Sequence, residues 1–168
     1  MDGVYLHKSS IRFEVAARAF GRRKSVQSHM KRGFSSDPRL AYIEFWGVMQ
    51  AIVMQQDAIC ELHEAVVGKS AEVIRGDAWW AIRHKRDLCV GHPAKRPRGV
   101  PANQRTFMGR LFGDYERIQY ELWDAKMGQT THPVFNLRKL VTDYDKEASQ
   151  ILQSVLDDMV IRWPLRRS

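Results

Sequence analysis

The chain is poor in cysteine and lacks any long hydrophobic run. Its 168 residues contain two cysteines, Cys60 and Cys89, which give no framework of paired spacings. No stretch of about eighteen apolar residues is present that would span a bilayer. The first residues, which include Lys8 and Arg12, lack the apolar core of a secretory signal. We therefore expect a reduced, cytoplasmic protein without a membrane span.

Several common catalytic and nucleotide-binding motifs are also absent. The sequence contains neither G-x-x-x-x-G-K-[ST] nor G-x-G-x-x-G, the glycine-rich loops that hold nucleotide phosphates. It also lacks H-E-x-x-H, the zinc-protease motif, and G-x-S-x-G, the nucleophile turn of esterases. These absences exclude the commonest nucleotide-binding, protease and esterase classes.

Positive charge, by contrast, is abundant and is concentrated in two segments. The formal net charge is +8 at pH 7. Residues 1–36 contain eight lysines and arginines against two acidic residues, and residues 93–113 contain five against none. Because neutralising phosphates releases counterions, a polyanion is one expected partner. A basic surface that only maintains solubility is the alternative, and charge alone leaves both open.

Apolar residues recur at steps of three and four along most of the chain, which is the period of an amphipathic helix. Asp37-Pro38 marks the start of the first long helix and Gly68 its end. The predicted helices cover residues 10–20, 37–68, 71–90, 114–128 and 136–163. The expected fold is therefore all-α, an up-and-down bundle of four to five helices with one long basic loop.

This pattern divides the chain into two parts. Residues 1–36 form a basic N-terminal extension that is predicted to be partly helical, and residues 37–168 form the helical domain. Within that domain, residues 93–113 hold three prolines and three glycines, which are too many breaks for a helix. We expect the basic loop there, with a short extended piece at Arg105 to Leu111.

Residues 86–93, with the sequence RDLCVGHP, carry the chemistry that stands out. Arg86 stays charged and can hold a phosphate through two parallel hydrogen bonds. Histidine has an ordinary pKa of about 6.5, so His92 can exchange a proton near neutral pH. Gly91 can turn the chain at the helix end and bring His92 back toward Arg86, which six residues of regular helix would not do. The pair suits cleavage of a phosphodiester.

This arrangement resembles the R-x(4-6)-H signature of the HEPN superfamily of ribonucleases, in which a polar residue follows the arginine. The resemblance covers the motif in its helical setting, roughly residues 38–163. It implies that Arg86 and His92 are the catalytic residues, at the end of the helix that lines a dimer cleft. Asp87 is the supporting residue, placed to hydrogen-bond the imidazole or the guanidinium, although it is equally consistent with an ordinary surface carboxylate.

The resemblance also implies the activity and the partners. It implies RNA cleavage without a metal or cofactor, products ending in a 2′,3′-cyclic phosphate and a 5′-OH, and a homodimer formed through the motif-bearing helices. Members are frequently toxins or effectors of toxin-antitoxin or phage-defence systems, so an antitoxin protein is a further expected partner. Neighbouring basic residues are expected to contact the RNA backbone: Arg83, Lys85, Lys95, Arg96 and Arg98.

A zinc site is a competing interpretation of the same residues. Cys60 and His63 form C-x₂-H, and Cys89 and His92 repeat it, so that the four side chains could close a tetrahedral site. However, Cys60 falls in the middle of a long predicted helix, where a cysteine is more often a small buried hydrophobe. We expect no metal.

Non-catalytic roles also stay open. Arg86 could act as a cation that stabilises the C-terminus of its helix. The protein could then be a helical module that binds RNA or another acidic partner through residues 18–32 and 95–110. Adjacent tryptophans on a helix point about 100° apart, so at most one of Trp79 and Trp80 faces a groove, and burial is predicted for Trp80.

Overall fold

The structure is a computed structural model that describes residues 30, 33–69, 75–90, 101, 103–109 and 112–162. Within these residues the chain forms three helices and five short strands. The helices are α1 (Pro38–Val67), α2 (Asp77–Cys89) and α3 (Leu137–Arg162). The strands are β1 (Gln104–Phe107), β2 (Ile118–Gln119), β3 (Glu121–Asp124), β4 (Gln129–Thr131) and β5 (Val134–Phe135). The predicted all-α bundle of four to five helices is therefore wrong, because the fold combines helices with antiparallel strands.

Helix α1 begins and ends where its sequence signals predicted. Asp37 is the N-cap, and its Oδ1 accepts a hydrogen bond of 2.8 Å from the backbone N–H of Arg39. Gly68 ends the helix in the left-handed conformation, with φ 79°, and its N–H donates to the carbonyl of Glu64. Local capping residues therefore fix both ends of this helix.

Helix α2 is capped by a residue that is distant in sequence. It starts at Asp77, later than the predicted start near residue 71, and residues 70–74 lie outside the described residues. The carboxylate of Glu147, on α3, accepts hydrogen bonds from the backbone N–H groups of Ala78 and Trp79, at 3.0 and 2.7 Å. Gly76 leaves room for this carboxylate, because a Cβ at that position would collide with it. The start of α2 therefore depends on its packing against α3.

Helix α3 matches the prediction for the last helix. The side-chain oxygen of Asn136 accepts a hydrogen bond of 2.7 Å from the backbone N–H of Lys139, which caps the first turn. Tyr144 on its inner face lies 5.5 Å, between ring centroids, from Trp79 of α2. The helix therefore packs across α2 through aromatic side chains. No helix among the described residues has the length and the apolar character that are needed to cross a bilayer.

The helix predicted over residues 114–128 is the main error in the sequence-based fold. Ile118, Tyr120 and Leu122 alternate inward with a period of two, and they belong to strands β2 and β3 and the residue between them. Asp114 closes a turn, because its carboxylate accepts the backbone N–H groups of Glu116 and Arg117. The short apolar run is compatible with both the helical period of about 3.6 residues and the strand period of two. The turn at Asp114 is consistent with strands.

The strands form two small antiparallel sheets. One sheet has the order β1-β3-β4, and the other pairs β2 with β5. In the first sheet, Arg105 is the register partner of Trp123, and Trp123 is that of Thr130. Strand β1 lies within residues 105–111 in part, where the sequence predicted an extended piece. The inner side chains of these strands join the same hydrophobic core as the helices.

Candidate functional site

Arg86 lies in the last turn of α2 and is held by two side chains. Its Nη1 donates a hydrogen bond of 2.8 Å to Asp87 Oδ1. Its Nε and Nη2 donate to the same oxygen, Gln50 Oε1 on α1, at 3.3 and 3.2 Å. The Arg86 side chain is about one-third exposed. The guanidinium is therefore fixed in orientation and still in contact with solvent.

These contacts leave part of the guanidinium available. The group has five N–H donors, of which three are used toward Gln50 and Asp87. One N–H on each terminal nitrogen therefore has no partner among the described residues. A guanidinium can donate such N–H groups to the oxygens of a phosphate. Arg86 thus has its orientation set by Gln50 and Asp87.

Gln50 is the site residue that sequence reasoning missed. It lies 36 positions before Arg86, and α1 brings it beside the end of α2. A second contact joins the same two elements, because Trp46 Nε1 donates to the carbonyl of Val90 at 3.3 Å. No local pattern in the sequence indicated Gln50, because only the packing of the two helices gives it a partner.

Asp87 contacts Arg86 directly, which is one of the two contacts that the sequence suggested for it. The two carboxylate oxygens are acceptors only, so this contact consumes one guanidinium N–H and offsets part of its charge. About one-third of each side chain stays exposed, and ion pairs at such sites contribute little to stability. Orientation of Arg86 is the clearer consequence of the contact.

His92, the second predicted catalytic residue, lies outside the described residues. So do Lys95, Arg96 and Arg98 of the predicted basic loop. Helix α2 ends at Cys89, and the N–H of Val90 donates to the carbonyl of Arg86 at 2.8 Å. The approach of His92 to Arg86 and the contacts of the loop with RNA therefore stay predictions.

The other two predicted RNA-binding residues already have partners within the protein. Arg83 forms an ion pair with Asp57 of α1. The ammonium group of Lys85 lies 5.2 Å from the ring centroid of Tyr120 and 5.2 Å from that of Phe135. Lys85 thus joins α2 to the β2–β5 part of the molecule. Contact of Arg83 and Lys85 with RNA stays a prediction.

Three of the four residues of the alternative zinc site are described, and His92 lies outside the described residues. Burial raises the pKa of the Cys89 thiol to about 12, and burial also raises the pKa of Cys60. His63 is buried and its Nδ1 lies 2.9 Å from the carbonyl oxygen of Lys69. No group of three histidine, cysteine or acidic side chains that could hold a metal ion occurs among the described residues. Zinc binding requires thiolates, which burial disfavours at both cysteines.

The prediction for the tryptophan pair was wrong in its assignment. Trp79 is fully buried, with 0% exposure, and packs on Tyr144, whereas Trp80 is 49% exposed. The guanidinium carbon of Arg75 lies 5.4 Å from the centroid of the Trp80 ring. The helical period correctly separated the two side chains, but the choice between them depended on where α3 packs.

The resemblance to HEPN ribonucleases rests on the short motif that ends α2. No family model, no curated protein and no solved structure matches the chain. Of the motif, Arg86 and Asp87 are in contact at a helix end, as described above.

Proposed function

We propose that this protein is a metal-independent ribonuclease in which Arg86 binds the phosphate that is cleaved and His92 transfers protons. The observation that carries the proposal is the fixed guanidinium of Arg86. Gln50 and Asp87 hold it at the end of α2 while two of its N–H donors have no partner among the described residues. A donor set in advance stabilises charge that develops on phosphoryl oxygens without reorganising during the reaction.

The reaction that fits these groups uses the 2′-OH of RNA as the nucleophile. His92 takes the proton of the 2′-OH, and the oxygen attacks the adjacent phosphorus. The bond from phosphorus to the 5′ oxygen breaks, and that oxygen takes a proton from a second imidazole. The products are a 2′,3′-cyclic phosphate and a 5′-OH, and no external electron donor or acceptor is required. Arg86 neutralises charge on the non-bridging oxygens throughout.

We assign the second imidazole to His92 of a second copy of the chain, so the proposal includes a homodimer. An exposed apolar stripe on α1 supports it: Leu40, Ile43, Trp46 and Met54 follow one another at spacings of three, three and eight residues on one face of the helix, and each is about half exposed. Gln50, which binds Arg86, lies on this stripe. Packing of two such stripes would place two Arg86 residues near one symmetry axis. Ile43→Glu should then abolish both dimer formation and cleavage.

The biological role follows from the resemblance. We propose that the enzyme acts as a toxin or effector, in a toxin-antitoxin or phage-defence system. Expression of the wild-type chain should then arrest growth, and expression of the His92→Ala variant should not. Normal growth with wild-type protein at equal abundance would contradict this role without affecting the enzymatic proposal.

The central test measures RNA cleavage by purified protein in excess chelator. Arg86→Ala should lower the rate constant by about 10²- to 10³-fold, by analogy with the loss of one oxyanion-hole donor. Gln50→Ala should have a smaller effect, because it removes only the positioning contact. Lys139→Ala is the matched control, since Lys139 is a cation on the exposed face of α3.

The same variants separate catalysis from structure. If Arg86 only joined α1 to α2, Arg86→Ala would lower the urea midpoint and Arg86→Met, which keeps the apolar stem, would cleave normally. Full cleavage by the Arg86→Ala and His92→Ala double variant would refute the ribonuclease. Binding of RNA without any cleavage by the wild type would favour the non-catalytic RNA-binding alternative.

A further inference from the structure

The three-stranded sheet has an inner and an outer face. Side chains alternate along a strand, so residues two apart share a face. Thr106 of β1 is buried, and its register partner Leu122 of β3 packs against the hydrophobic core. Phe107 and Trp123 follow these residues and therefore lie on the opposite, outer face, together with Arg105.

The outer face carries two aromatic side chains that the protein does not cover. Phe107 is 44% exposed and Trp123 is 41% exposed. Trp123 is the register partner of Arg105, two residues before Phe107, so the two aromatic residues are diagonal neighbours on paired strands. Diagonal neighbours are about 7–8 Å apart. Sheets that bind single-stranded RNA present aromatic side chains in this manner and stack two or three bases on them.

The sheet that carries these rings is held rigidly at one end. The carboxylate of Asp124 accepts hydrogen bonds from the side chains of Asn103 and Gln104, at 2.6 and 3.0 Å, and from the backbone N–H groups of Lys126 and Met127. These contacts tie the start of β1 to the turn between β3 and β4. They hold the backbone of β1 and β3 together beside Trp123, and a backbone that is already ordered reduces the entropy cost of binding.

Positive charge lies at this same end of the sheet. Lys126 is an exposed residue of the turn between β3 and β4. Arg105 lies on the outer face itself, as the register partner of Trp123. The chain as a whole carries +8. An exposed aromatic face bordered by cations matches a strand of bases joined by phosphates better than it matches an apolar protein surface.

We propose that the outer face of the β1-β3-β4 sheet binds single-stranded RNA, with bases stacked on Phe107 and Trp123. The inference rests on the proposed function only in taking RNA as the ligand, since base stacking needs neither Arg86 nor His92. It assigns a substrate class to the enzyme, because a strand stacked in this way is unpaired. Glu121 also lies on this face, opposite Phe107, and its charge opposes binding.

The test uses a fluorescein-labelled 2′-O-methyl oligonucleotide of about twelve nucleotides, which lacks the free 2′-OH and is not cleaved. Fluorescence anisotropy with the full chain should show binding that a duplex of the same sequence competes for poorly. Phe107→Ala and Trp123→Ala should each weaken binding by about 5- to 100-fold. Trp123→Phe should retain most of the affinity, and Glu121→Gln should increase it.

Matched controls are exposed hydrophobic residues elsewhere. Val134 lies outside this sheet and Trp80 lies on α2. The variants Val134→Ala and Trp80→Ala should both bind the oligonucleotide as the wild type does. Wild-type affinity in Phe107→Ala and Trp123→Ala would overturn the inference, as would equal binding of the duplex. Self-association that is lost in Trp123→Ala, with unchanged oligonucleotide binding, would also overturn it and identify a protein interface.

Failure of this inference and failure of the ribonuclease are distinguishable. The Arg86→Ala variant should bind the uncleaved oligonucleotide as tightly as the wild type within about 3-fold, because one phosphate contact is a small part of the whole. Cleavage that persists with unchanged rate and KM in Trp123→Ala would support the ribonuclease proposal and refute RNA binding on the outer face of the sheet. Binding on the sheet without cleavage by the wild type would support RNA binding on the outer face and refute the ribonuclease proposal.

Discussion

The contacts between the helices of this protein differ in kind from the contacts that hold the turns between its strands. Between the helices the contacts are buried side chains, such as Trp79 against Tyr144. In residues 103–131 the turns depend on aspartates, since Asp114 and Asp124 accept backbone N–H groups at the surface. Burial contributes free energy in proportion to area, whereas exposed hydrogen bonds mainly fix conformation. The buried contacts, which include inner side chains of the strands, therefore provide most of the stability, whereas the aspartates mainly fix the turns between the strands.

The largest expected effect is on the buried side of this comparison. Trp79→Ala should lower the free energy of unfolding by about 3–5 kcal/mol, because it leaves a cavity between α2 and α3. Trp80→Ala, the neighbouring and exposed residue, should change it by less than about 0.5 kcal/mol. Urea unfolding followed by circular dichroism measures both. Equal effects of the two substitutions would contradict the packing of α2 on α3.

The second effect also comes from burial but depends on pH. Burial raises the pKa of Cys89 to about 12 from 9.0, so the unfolded chain loses this proton first as the pH rises. The contribution of Cys89 to stability is fully present below pH 9 and is lost progressively up to about pH 12. At pH 11 the loss should be on the order of 2–3 kcal/mol from this thiol, since each unit corresponds to about 1.4 kcal/mol.

The Cys89→Ala variant isolates that contribution. Its stability difference from the wild type at pH 7 reflects packing alone, and the difference should shrink or reverse at pH 11. Burial also raises the pKa values of Tyr115 and Tyr120, so both proteins will lose stability above pH 10. Cys60→Ala is the matched control, with a smaller change between the two pH values. The same change in the two cysteine variants would argue against the burial of Cys89.

Local signals predicted the helices better than the strands, and the physical reason is visible at particular residues. Asp37 and Gly68 cap α1 from within its own sequence, so both ends could be predicted. The cap of α2 comes from Glu147, 69 positions beyond Ala78, and no local pattern indicates it. Strands of two to four residues have too few side chains to show their period.

The same limit applies to the candidate site. Arg86 and Asp87 are adjacent in sequence, and their pairing could be inferred from residue type and spacing. Gln50 and Arg86 are 36 positions apart in the chain, and they meet only because α1 and α2 pack side by side. The exposed rings of Phe107 and Trp123 become neighbours only through the β1–β3 register. Sequence therefore indicated the charged group of the site, and packing supplied the groups that orient it.

A third substitution sharpens the comparison because it removes a carboxylate cap that lies within the helical part of the molecule. Glu147→Gln should lower the free energy of unfolding by about 1–2 kcal/mol, since an amide offers one acceptor oxygen where the carboxylate accepts two backbone N–H groups. Gly76→Ala should act in the same direction by displacing Glu147. The control is Glu64→Gln, an exposed glutamate on α1. Chemical denaturation at pH 7 measures the stability of all three variants. A wild-type midpoint for Glu147→Gln would contradict the role of Glu147 as the cap of α2.

The smallest global effect is expected at Asp124, where the damage should be local. Hydrogen bonds, first that from Gln104, lower the pKa of Asp124 below its ordinary value of 3.8. Its contribution is therefore present above pH 3.8 and is lost as the pH falls through the lower value in the folded protein. Asp124→Ala should increase hydrogen exchange of amides in β1 and β3 at neutral pH while amides of α1 and α3 keep wild-type protection.

Asp143→Ala provides the comparison that decides whether hydrogen bonds or simple charge pairing matter at Asp124. The pKa of Asp143 is also lowered, first by its hydrogen bond with Lys139, but that pair is exposed on α3 and holds no turn. High salt should remove the pH effect at Asp143 and leave most of that at Asp124, because screening acts on exposed ion pairs more than on hydrogen bonds to neutral donors. Loss of protection in the helices of Asp124→Ala would mean that the turn held by Asp124 also supports the helical core. The division of roles between the two parts of the molecule would then fail.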